Sequence, residues 1–522
     1  MLLDLVGGVG HVVDRAADLV PVRLLGELVL DHHDLVLVGG QAAVEAAHVE
    51  AQQLEGVAEV EVLDVGDHRP DRRDVPVLVV TPEGDVDVLV AVLGDREGQL
   101  VLVVLLDIEQ RPALVLGQLV QQNVEIHGLL LRNGRDTIPL RRYFRGPVIY
   151  LDENATNRPD PRLLEVYRRG LDEGWANPSS QHTEGRRARA FVEEAREQVA
   201  ALFGVAPGQV TFAASGTEAL NQALFSAVAS AEGPARVLAS AVEHAAVLEA
   251  LEWLAGEGRV RHELLGVDAC ARLEPAALTQ ALAGAEQPAL VALLAAQNEV
   301  GTLQDLEGAG AACAAAEVPL LVDATQAVGR VERDWCATPW DYLVISGHKM
   351  RAPRGAAALI HRGRAPEPRP LVLGGGQELG RRAGTEDVAA IAALGAAAAL
   401  VSAGTLCDPA ALRERRDAFE AALLERVEGL VVLAQEAERL PQTTLALVPG
   451  GEGEALLAGL DLAGVYASRG SACASGARKP SHVLAAMGVD PQAARGRLRF
   501  SAGPDTTAAE LSRAAELLAG LV

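Results

Sequence analysis

The chain has 522 residues, 49% of them hydrophobic and 22% charged, a balance typical of globular proteins with more than one domain. Its formal net charge of −25 leaves no basic surface to hold phosphate backbones, which argues against nucleic acid as a partner. We therefore expect small molecules or other proteins as ligands.

The cysteines are scattered, odd in number and without a CxxC pair, which fits neither a disulfide framework nor a zinc site. They are Cys270, Cys313, Cys336, Cys407 and Cys473. The N-terminus lacks the basic segment of a signal peptide, and charged residues interrupt every apolar run before about 18 residues. These features predict a cytoplasmic protein with reduced thiols and no membrane span. His32 and His33 have no neighbouring cysteine or carboxylate cluster, so no metal site is predicted.

Residues 1–142 have an unusual composition. They contain no Phe, Tyr, Trp, Ser, Lys or Cys, and no Met after the first. The segment is too apolar for a typical disordered tail and too poor in aromatic residues for a well-packed core. Our hypothesis is that residues 1–147 are an extension from a mistranslated upstream reading frame, with Val148 as a candidate initiator. An accessory β-rich domain and a low-complexity extension are the alternatives.

After Val148 the sequence alternates between helical and strand patterns. Apolar residues recur at helical spacing at Phe191, Ala195, Val199 and Leu202, and Gly204 follows, which predicts an amphipathic helix ending there. The runs "ALVALLAAQ", "VPLLVDA" and "DYLVIS" predict buried strands. The fold class is therefore α/β, with a mostly parallel sheet between helices and ligands at the carboxyl ends of its strands.

The chain contains two lysines, Lys349 and Lys479, while arginine provides nearly all other positive charge. Arginine cannot lose its proton at usable pH, whereas a desolvated lysine can, and can then form a Schiff base. Lys349 follows a predicted strand and stands in "SGHK". This makes it a candidate catalytic residue.

Two further strand ends carry candidate ligand-binding groups. "TFAASGTEALNQAL" predicts a strand, a small-residue turn and a helix whose first N–H groups, near Gly216 and Thr217, would point at an anion such as a phosphate. A simple Thr-capped turn explains that pattern nearly as well. Asp323 in "LLVDATQAVG" follows an apolar strand, and its carboxylate can hold a pyridine nitrogen protonated.

Nine motifs in order resemble those of cysteine desulfurases, the group I branch of the class V pyridoxal-phosphate-dependent aminotransferase family. They are "YLDENAT", "NPSSQHTEGRRAR", "SGTEALN", "EHAAVLE", "QNEVGTLQ", "DATQAVGRV", "SGHK", "GGGQELGRRAGTED" and "GSACASG". The resemblance covers residues 148–522. It implies a fold type I transferase with a large cofactor domain at 165–405 and a small α/β domain built from 148–164 and 406–522.

The resemblance also implies roles for individual residues. Lys349 would carry pyridoxal 5'-phosphate and move the substrate α-proton, His244 would stack on the ring, Asp323 would pair with its nitrogen, and Gln326 would bond its hydroxyl oxygen. The residues implied for the phosphate are Gly216, Thr217, Ser346, His348 and, from the second subunit of a homodimer, Thr385. Asn298 and Arg499 would orient the substrate, Arg499 as a bidentate carboxylate clamp.

Cys473 lies in "RGSACASGARKPSH", a stretch without apolar periodicity that predicts a loop. The resemblance implies that its thiolate takes the sulfur of L-cysteine, leaving alanine and an enzyme persulfide. The sulfur would pass to an acceptor protein for iron–sulfur cluster assembly or for tRNA or cofactor thiolation. Cys473 would also be able to ligate a shared iron–sulfur cluster transiently.

The chain departs from the usual family pattern at three places: Glu153, the pair Arg351 and Ala352, and Pro504. None removes a chemical group, and the sequence does not say whether they change loop packing, partner docking or the surroundings of the substrate. Two other functions stay open. One is a selenocysteine lyase or β-eliminating lyase, which would not need Cys473, and the other is a non-catalytic scaffold.

Overall fold

The computed structural model describes residues 148–229, 231–470 and 481–522, and short strands between residues 59 and 139. The chain divides into two units, residues 1–148 with 461–464 and residues 149–460 with 465–522. In the first unit β1 pairs with β2, and β3 to β6 form a four-stranded sheet in chain order. These strands are β1 (Glu59–Leu63), β2 (Val77–Thr81), β3 (Val88–Gly94), β4 (Leu100–Asp107), β5 (Gly128–Asn133) and β6 (Asp136–Pro139).

The second unit is built on a seven-stranded sheet with the order β10-β9-β11-β12-β13-β14-β8. Strands β10, β9, β11, β12 and β13 are parallel, whereas β14 runs antiparallel to both of its neighbours. The strands are β8 (Val210–Ala213), β9 (Ala235–Ser240), β10 (Val260–Leu265), β11 (Leu290–Leu294), β12 (Leu320–Asp323), β13 (Tyr342–Ser346) and β14 (Ala357–His361). The predicted mostly parallel α/β sheet is confirmed, and the three predicted strands correspond to β11, β12 and β13.

Both faces of this sheet are buried. Val291 and Leu293 of β11 pack into one apolar cluster, and Leu290 and Ala292 pack into another on the opposite face. Because successive residues of a strand point to opposite faces, a strand covered on both sides is a continuous apolar run, as β11 is.

Helices of the second unit form two groups: the first seven pack on the two faces of the large sheet, and the last four pack in the C-terminal part of the chain. They are α1 (Pro161–Glu173), α2 (Thr183–Phe203), α3 (Gly216–Val228), α4 (Ala245–Gly256), α5 (Pro275–Leu282), α6 (Leu306–Ala315), α7 (Val388–Ser402), α8 (Pro409–Arg426), α9 (Gly453–Leu462), α10 (His482–Ala486) and α11 (Ala508–Ala519). In the described part of the chain no helix combines the length and apolar character needed to cross a membrane.

Helix α2 forms as its sequence pattern predicts. Ala195, Val199 and Leu202 are buried in the core, and Phe191 packs against it. Gly204 ends the helix with φ of 63°, a left-handed conformation that suits glycine because it has no Cβ.

A smaller sheet lies in the C-terminal part of the second unit. It has the order β15-β16-β18, and a separate two-stranded ladder joins β7 to β17. The strands are β7 (Ile149–Tyr150), β15 (Val431–Val432), β16 (Thr443–Leu447), β17 (Val465–Tyr466) and β18 (Arg497–Ser501). After β7, Asp152 bridges to Ser501 at the end of β18. The segment at 152–157 is thereby directed to the carboxyl ends of the large sheet.

Candidate active site

Lys349 lies just after β13, in a short 3-10 helix formed by Gly347–Lys349. Its Nζ donates hydrogen bonds to the backbone carbonyls of Asn154 and of Ala155, the latter at 2.9 Å. Desolvation of the amine, together with the nearby guanidinium groups of Arg330 and Arg499, lowers the pKa of Lys349 to about 7. A substantial fraction of Lys349 is therefore a neutral amine at neutral pH, and an unprotonated amine is nucleophilic.

A small-residue recess lies beside Lys349. Gly216 is the first residue of α3, where helix geometry leaves N–H groups without intrahelical acceptors. A Cβ on Gly216 would lie 3.2 Å from Cγ2 of Thr325 and 3.5 Å from Cβ of Ser346. Helix start, Thr325 and buried Ser346 therefore enclose a space that suits a small anion. Thr217, the next residue of the same helix turn, is exposed.

His348 directly precedes Lys349 in the same 3-10 helix. Its Nδ1 lies 3.1 Å from Oγ1 of Thr156. Burial, followed by the positive charges of Lys349 and Arg330, lowers the pKa of His348 to about 4. His348 is therefore neutral at physiological pH and can donate or accept a hydrogen bond.

Asp323 ends β12, one strand away from Lys349 in the sheet. Its Oδ1 accepts hydrogen bonds from Thr325, from the backbone N at 3.0 Å and from Oγ1 at 2.6 Å. These two bonds fix the carboxylate plane and use only one of its oxygens. Oδ2 is left to meet a positively charged ring nitrogen.

Gln326 follows in the same loop. Its Nε2 donates to the carbonyl of Asn154 at 2.9 Å, and its Oε1 accepts from Nη1 of Arg330. The carbonyl of Asn154 therefore accepts from both Gln326 and Lys349. The predicted ring-binding amide and the predicted catalytic amine are thus held by one backbone oxygen.

His244 caps the start of α4, with its Nδ1 accepting from the backbone N of Ala246 at 3.1 Å. The preceding residue, Glu243, is fully buried, and its Oε1 accepts from Ser240 at 2.6 Å and from the backbone N of Leu294 at 2.9 Å. Burial raises the pKa of Glu243 to about 8. This protonated acid ties the start of α4 to the ends of β9 and β11, and so orients His244.

Arg499 on β18 is 1% exposed. Its Nη2 pairs with Asp152 at 2.6 Å, and its Nη1 donates to the carbonyls of Asn298 at 3.0 Å and Gly470 at 2.8 Å. Within the described residues its Nε has no hydrogen-bond partner. A substrate carboxylate that binds Arg499 must therefore use Nε or replace one of these acceptors. Asn298 is half-buried, and its backbone carbonyl is the group that contacts this guanidinium.

Cys473 and Lys479 lie in residues 471–480, outside the described part of the chain. The residues on either side of that segment contact one buried carboxylate. Ser481 donates its hydroxyl to Oε2 of Glu299 at 2.8 Å, and Gly470 packs against the same carboxylate. Glu299 is 2% exposed, and its bond to Ser481 joins the residue after the segment to the loop that carries Asn298.

Thr385 is exposed, in a glycine-rich stretch that also exposes Leu373 and Leu379. Glu378 in this stretch has left-handed backbone angles, with φ of 49°, and pairs with buried Arg196 at 2.7 Å. The buried ion pair holds the stretch in a fixed shape.

The departures from the family pattern meet in one place. Glu153, Arg351 and Pro504 line a single pocket together with Lys349. Arg351 has a φ of 61° and pairs with Asp505. Three of the departing positions therefore border the pocket that contains Lys349, and Ala352 does not line it.

The sequence analysis missed several residues that hold this site together. They are Asn154, Glu243, Glu299 and Arg330. All four lie within the motifs quoted above, but no pattern in the sequence distinguishes them from ordinary buried polar residues. His32 and His33 lie outside the described residues.

Comparison with known proteins identifies the fold and the family. Solved structures with the same architecture include a NifS-like protein from Rickettsia africae, 30% identical, with a TM-score of 0.64 over 72% of this chain and 99% of that one. The fold is that of the fold type I pyridoxal-phosphate-dependent transferases. Residues 149–514 match the family "Aminotransferase class-V", and the chain belongs to this family.

Relatives with assigned functions extend the similarity. A cysteine desulfurase from Gluconacetobacter diazotrophicus is 39% identical over 375 residues, which are 72% of this chain and 93% of that protein. A cysteine desulfurase from Cereibacter sphaeroides is 40% identical over 375 residues, 72% of this chain and 95% of that protein.

Proposed function

We propose that this chain is a pyridoxal-phosphate-dependent cysteine desulfurase, which converts L-cysteine to L-alanine and leaves a persulfide on Cys473. The observation that carries the proposal is the amine of Lys349, which burial brings to a pKa of about 7 at the carboxyl ends of the parallel strands. The relatives of this chain that are named cysteine desulfurase are similar to it over 375 residues.

The residues around Lys349 fit pyridoxal phosphate. The recess between Gly216, Thr325 and Ser346 has room for a phosphate. A Cβ on Gly216 would reduce that space. In this proposal the phosphate is held by Gly216, Thr217, Ser346 and His348, and by Thr385 of a second subunit. Asp323 meets the pyridine nitrogen, Gln326 the ring oxygen, and His244 the ring face.

Pyridoxal phosphate, when bound, supplies an aldehyde for attachment and a ring that withdraws electrons from the substrate α-carbon. The protein's part is to hold and move protons. Lys349 in its neutral form takes the α-proton at Nζ, and the carbonyls of Asn154 and Ala155 keep that nitrogen in place. The carboxylate of Asp323 would pair with the ring nitrogen, while Arg499 and Asn298 would orient the substrate carboxylate.

The sulfur step uses the thiolate of Cys473. The thiolate attacks the sulfur of the bound cysteine, so that an S–S bond forms and the bond between sulfur and the β-carbon breaks. The electron pair of the broken bond stays with the β-carbon, which takes up a proton and becomes the methyl group of alanine. No external oxidant or reductant is needed until the persulfide is passed on.

The same proposal includes a homodimer and the domain division at 165–405 against 148–164 with 406–522. Exposed Leu373 and Leu379 precede Thr385 in the same glycine-rich stretch, which suits a second copy covering this stretch. The persulfide acceptor is proposed to be an iron–sulfur scaffold or a thiolation enzyme.

The test measures alanine and sulfide formed from L-cysteine with pyridoxal phosphate and a reductant. The chain starting at Val148 is compared with its Cys473→Ala and Lys349→Ala variants, and with the full chain. We expect both variants to lose sulfide production, and only the lysine variant to lose the visible absorbance of the bound cofactor. Sulfide production that survives Cys473→Ala would instead identify a lyase.

A further inference from the structure

Arg330 is a buried cation that forms no salt bridge within the described residues, although the carboxylate of Glu153 favours its charged form from a longer distance. It is 6% exposed, and among the described residues no Asp or Glu oxygen lies within 4.0 Å of its guanidinium nitrogens. A buried charge is costly unless it is compensated, so an arginine in this position needs a reason. The mechanism above does not use it.

The guanidinium instead donates to neutral oxygens of the active site. Nη1 donates to Oε1 of Gln326 and to Oδ1 of Asn154 at 3.2 Å, and Nη2 donates to the carbonyl of Glu153 at 3.0 Å and to Oδ1 of Asn157 at 3.3 Å. Arg330 therefore binds both the ring-facing amide of Gln326 and the segment 153–157.

These contacts have a stereochemical consequence for Gln326. An amide has one acceptor end and one donor end, and a guanidinium can only donate. With Arg330 at Oε1, the amide must present Nε2 at its other end, where it already donates to Asn154. The remaining N–H of Nε2 can then donate to an anionic ring oxygen. A flipped amide would present Oε1 instead, and that oxygen would repel the anion.

The same cation acts on Lys349, whose two hydrogen-bond acceptors belong to the segment that Arg330 holds. The charged groups that affect the Lys349 amine are two cations and two carboxylates, with neutral His348 adjacent in sequence. They are Arg330, Arg499, Asp152 and Asp323. Among these charges, Arg330 lowers the pKa of Lys349 the most. A lower pKa favours the neutral amine.

We propose that Arg330 is a positioning residue for the cofactor site: it fixes the orientation of the Gln326 amide and places a permanent positive charge beside Lys349. The positive charge of Arg330 would attract an anionic ring oxygen. It would also favour the neutral form of the Lys349 amine. This inference rests on the proposed pyridoxal-phosphate function and deepens it.

The effect of the Arg330 charge on the pKa of Lys349 is tested without catalytic turnover. The full chain, freed of pyridoxal phosphate, is treated with trace acetic anhydride at a series of pH values, and acetylation of Lys349 is quantified by peptide mass spectrometry. Because the chain has only two lysines, Lys479 serves as an internal reference in every sample. We expect Arg330→Met to raise the pH midpoint of Lys349 acetylation by about one unit, and Arg330→Lys to leave it near the native value.

The amide effect is tested by cofactor affinity. The dissociation constant for pyridoxal phosphate is measured for Arg330→Lys, Gln326→Ala and the double variant. Lysine cannot hold Gln326 and the 153–157 segment together, so each single change should weaken binding about tenfold. If Arg330 acts through Gln326, the double variant should bind no more weakly than Gln326→Ala alone.

Arg236→Met, which removes an arginine paired with Glu263 on the opposite part of the sheet, is the control for loss of one positive charge and should change neither readout. An unchanged acetylation midpoint in folded Arg330→Met overturns the charge role, and additive losses in the double variant overturn the positioning role. If Arg330→Met does not fold, Arg330→Gln replaces it, because glutamine also removes the charge and should raise the acetylation midpoint of Lys349 in the same way. Failure of desulfurase activity with both effects intact would instead refute the proposed function alone.

Discussion

The carboxylate of Glu299 accepts a hydrogen bond from the hydroxyl of Ser481 at 2.8 Å. A Cβ on Gly470 would lie 2.8 Å from the same Oε2 atom of Glu299. Gly470 and Ser481 are the residues on either side of the segment that contains Cys473. One buried carboxylate therefore binds Ser481 after the segment and lies against Gly470 before it.

We expect Ser481→Ala to slow persulfide formation on Cys473 several-fold without changing the affinity for pyridoxal phosphate, because the hydroxyl contacts Glu299 and none of the proposed cofactor ligands. Rapid-quench alkylation of the persulfide in single turnover measures the rate. Ser481→Thr keeps the hydroxyl and is the matched control, and equal rates in the Ala and Thr variants would contradict this role.

Uptake of pyridoxal phosphate should follow the titration of Lys349. Desolvation and Arg330 lower the pKa of Lys349 to about 7, so the reactive neutral form is lost as the pH falls below that value. We expect the uptake rate to reach a plateau above pH about 8 and to fall about tenfold for each unit below pH about 6.

The control for this pH profile is Nα-acetyl-lysine, whose amine has its ordinary pKa of about 10.4, measured with the same aldehyde at the same pH values. Its rate should continue to rise through the range where the protein's rate is constant. Parallel profiles for the protein and the free amine would show that Lys349 is not perturbed.

Arg499→Lys should raise the KM for L-cysteine more than it lowers kcat. The guanidinium already bonds Asp152, Asn298 and Gly470, and a lysine ammonium cannot replace its planar fork. We expect about a tenfold rise in KM, equivalent to about 1.4 kcal/mol, from steady-state alanine production. A variant that loses kcat with unchanged KM would place Arg499 outside substrate binding.

Glu243→Gln should make the protein less sensitive to alkaline pH. Burial raises the folded-state pKa of Glu243 to about 8, above its ordinary value of 4.5, so the stability that this group contributes is present at low pH and is lost as the pH rises through about 8. We expect native and variant chains to have similar Tm values at pH 5, and the variant to have the higher Tm at pH 9. A Tm difference that does not change between these pH values would mean that Glu243 is not protonated in the fold.

The sequence was informative where local pattern determines structure. Periodicity predicted α2 with its end at Gly204, and continuous apolar runs predicted β11, β12 and β13, because a strand buried on both faces has no polar alternation. The scarcity of lysine drew attention to Lys349. The structure gives that residue the burial and lowered pKa that its proposed role needs.

The partners of these residues were not predictable in the same way. Lys349 is held by carbonyls of Asn154 and Ala155, nearly 200 positions earlier in the chain, with a separation of 195 for Asn154. Backbone oxygens carry no residue-specific signal, and the burial of Arg330 and Glu299 follows from the packing of distant segments. The role of Cys473 stays a prediction, since it lies outside the described residues.

The pairing of the 152–157 segment with β18 also bears on how the molecule forms during synthesis. The backbone N of Asn154 is bonded to Oγ of Ser501 at 2.9 Å, across 347 positions. Since the ribosome releases the chain from its N-terminus, the carbonyls that hold Lys349 cannot reach their final position until almost the whole polypeptide has emerged. A nascent chain can complete the large sheet early, yet Lys349, the proposed catalytic lysine, gains its final hydrogen-bond partners only when β18 has joined the fold.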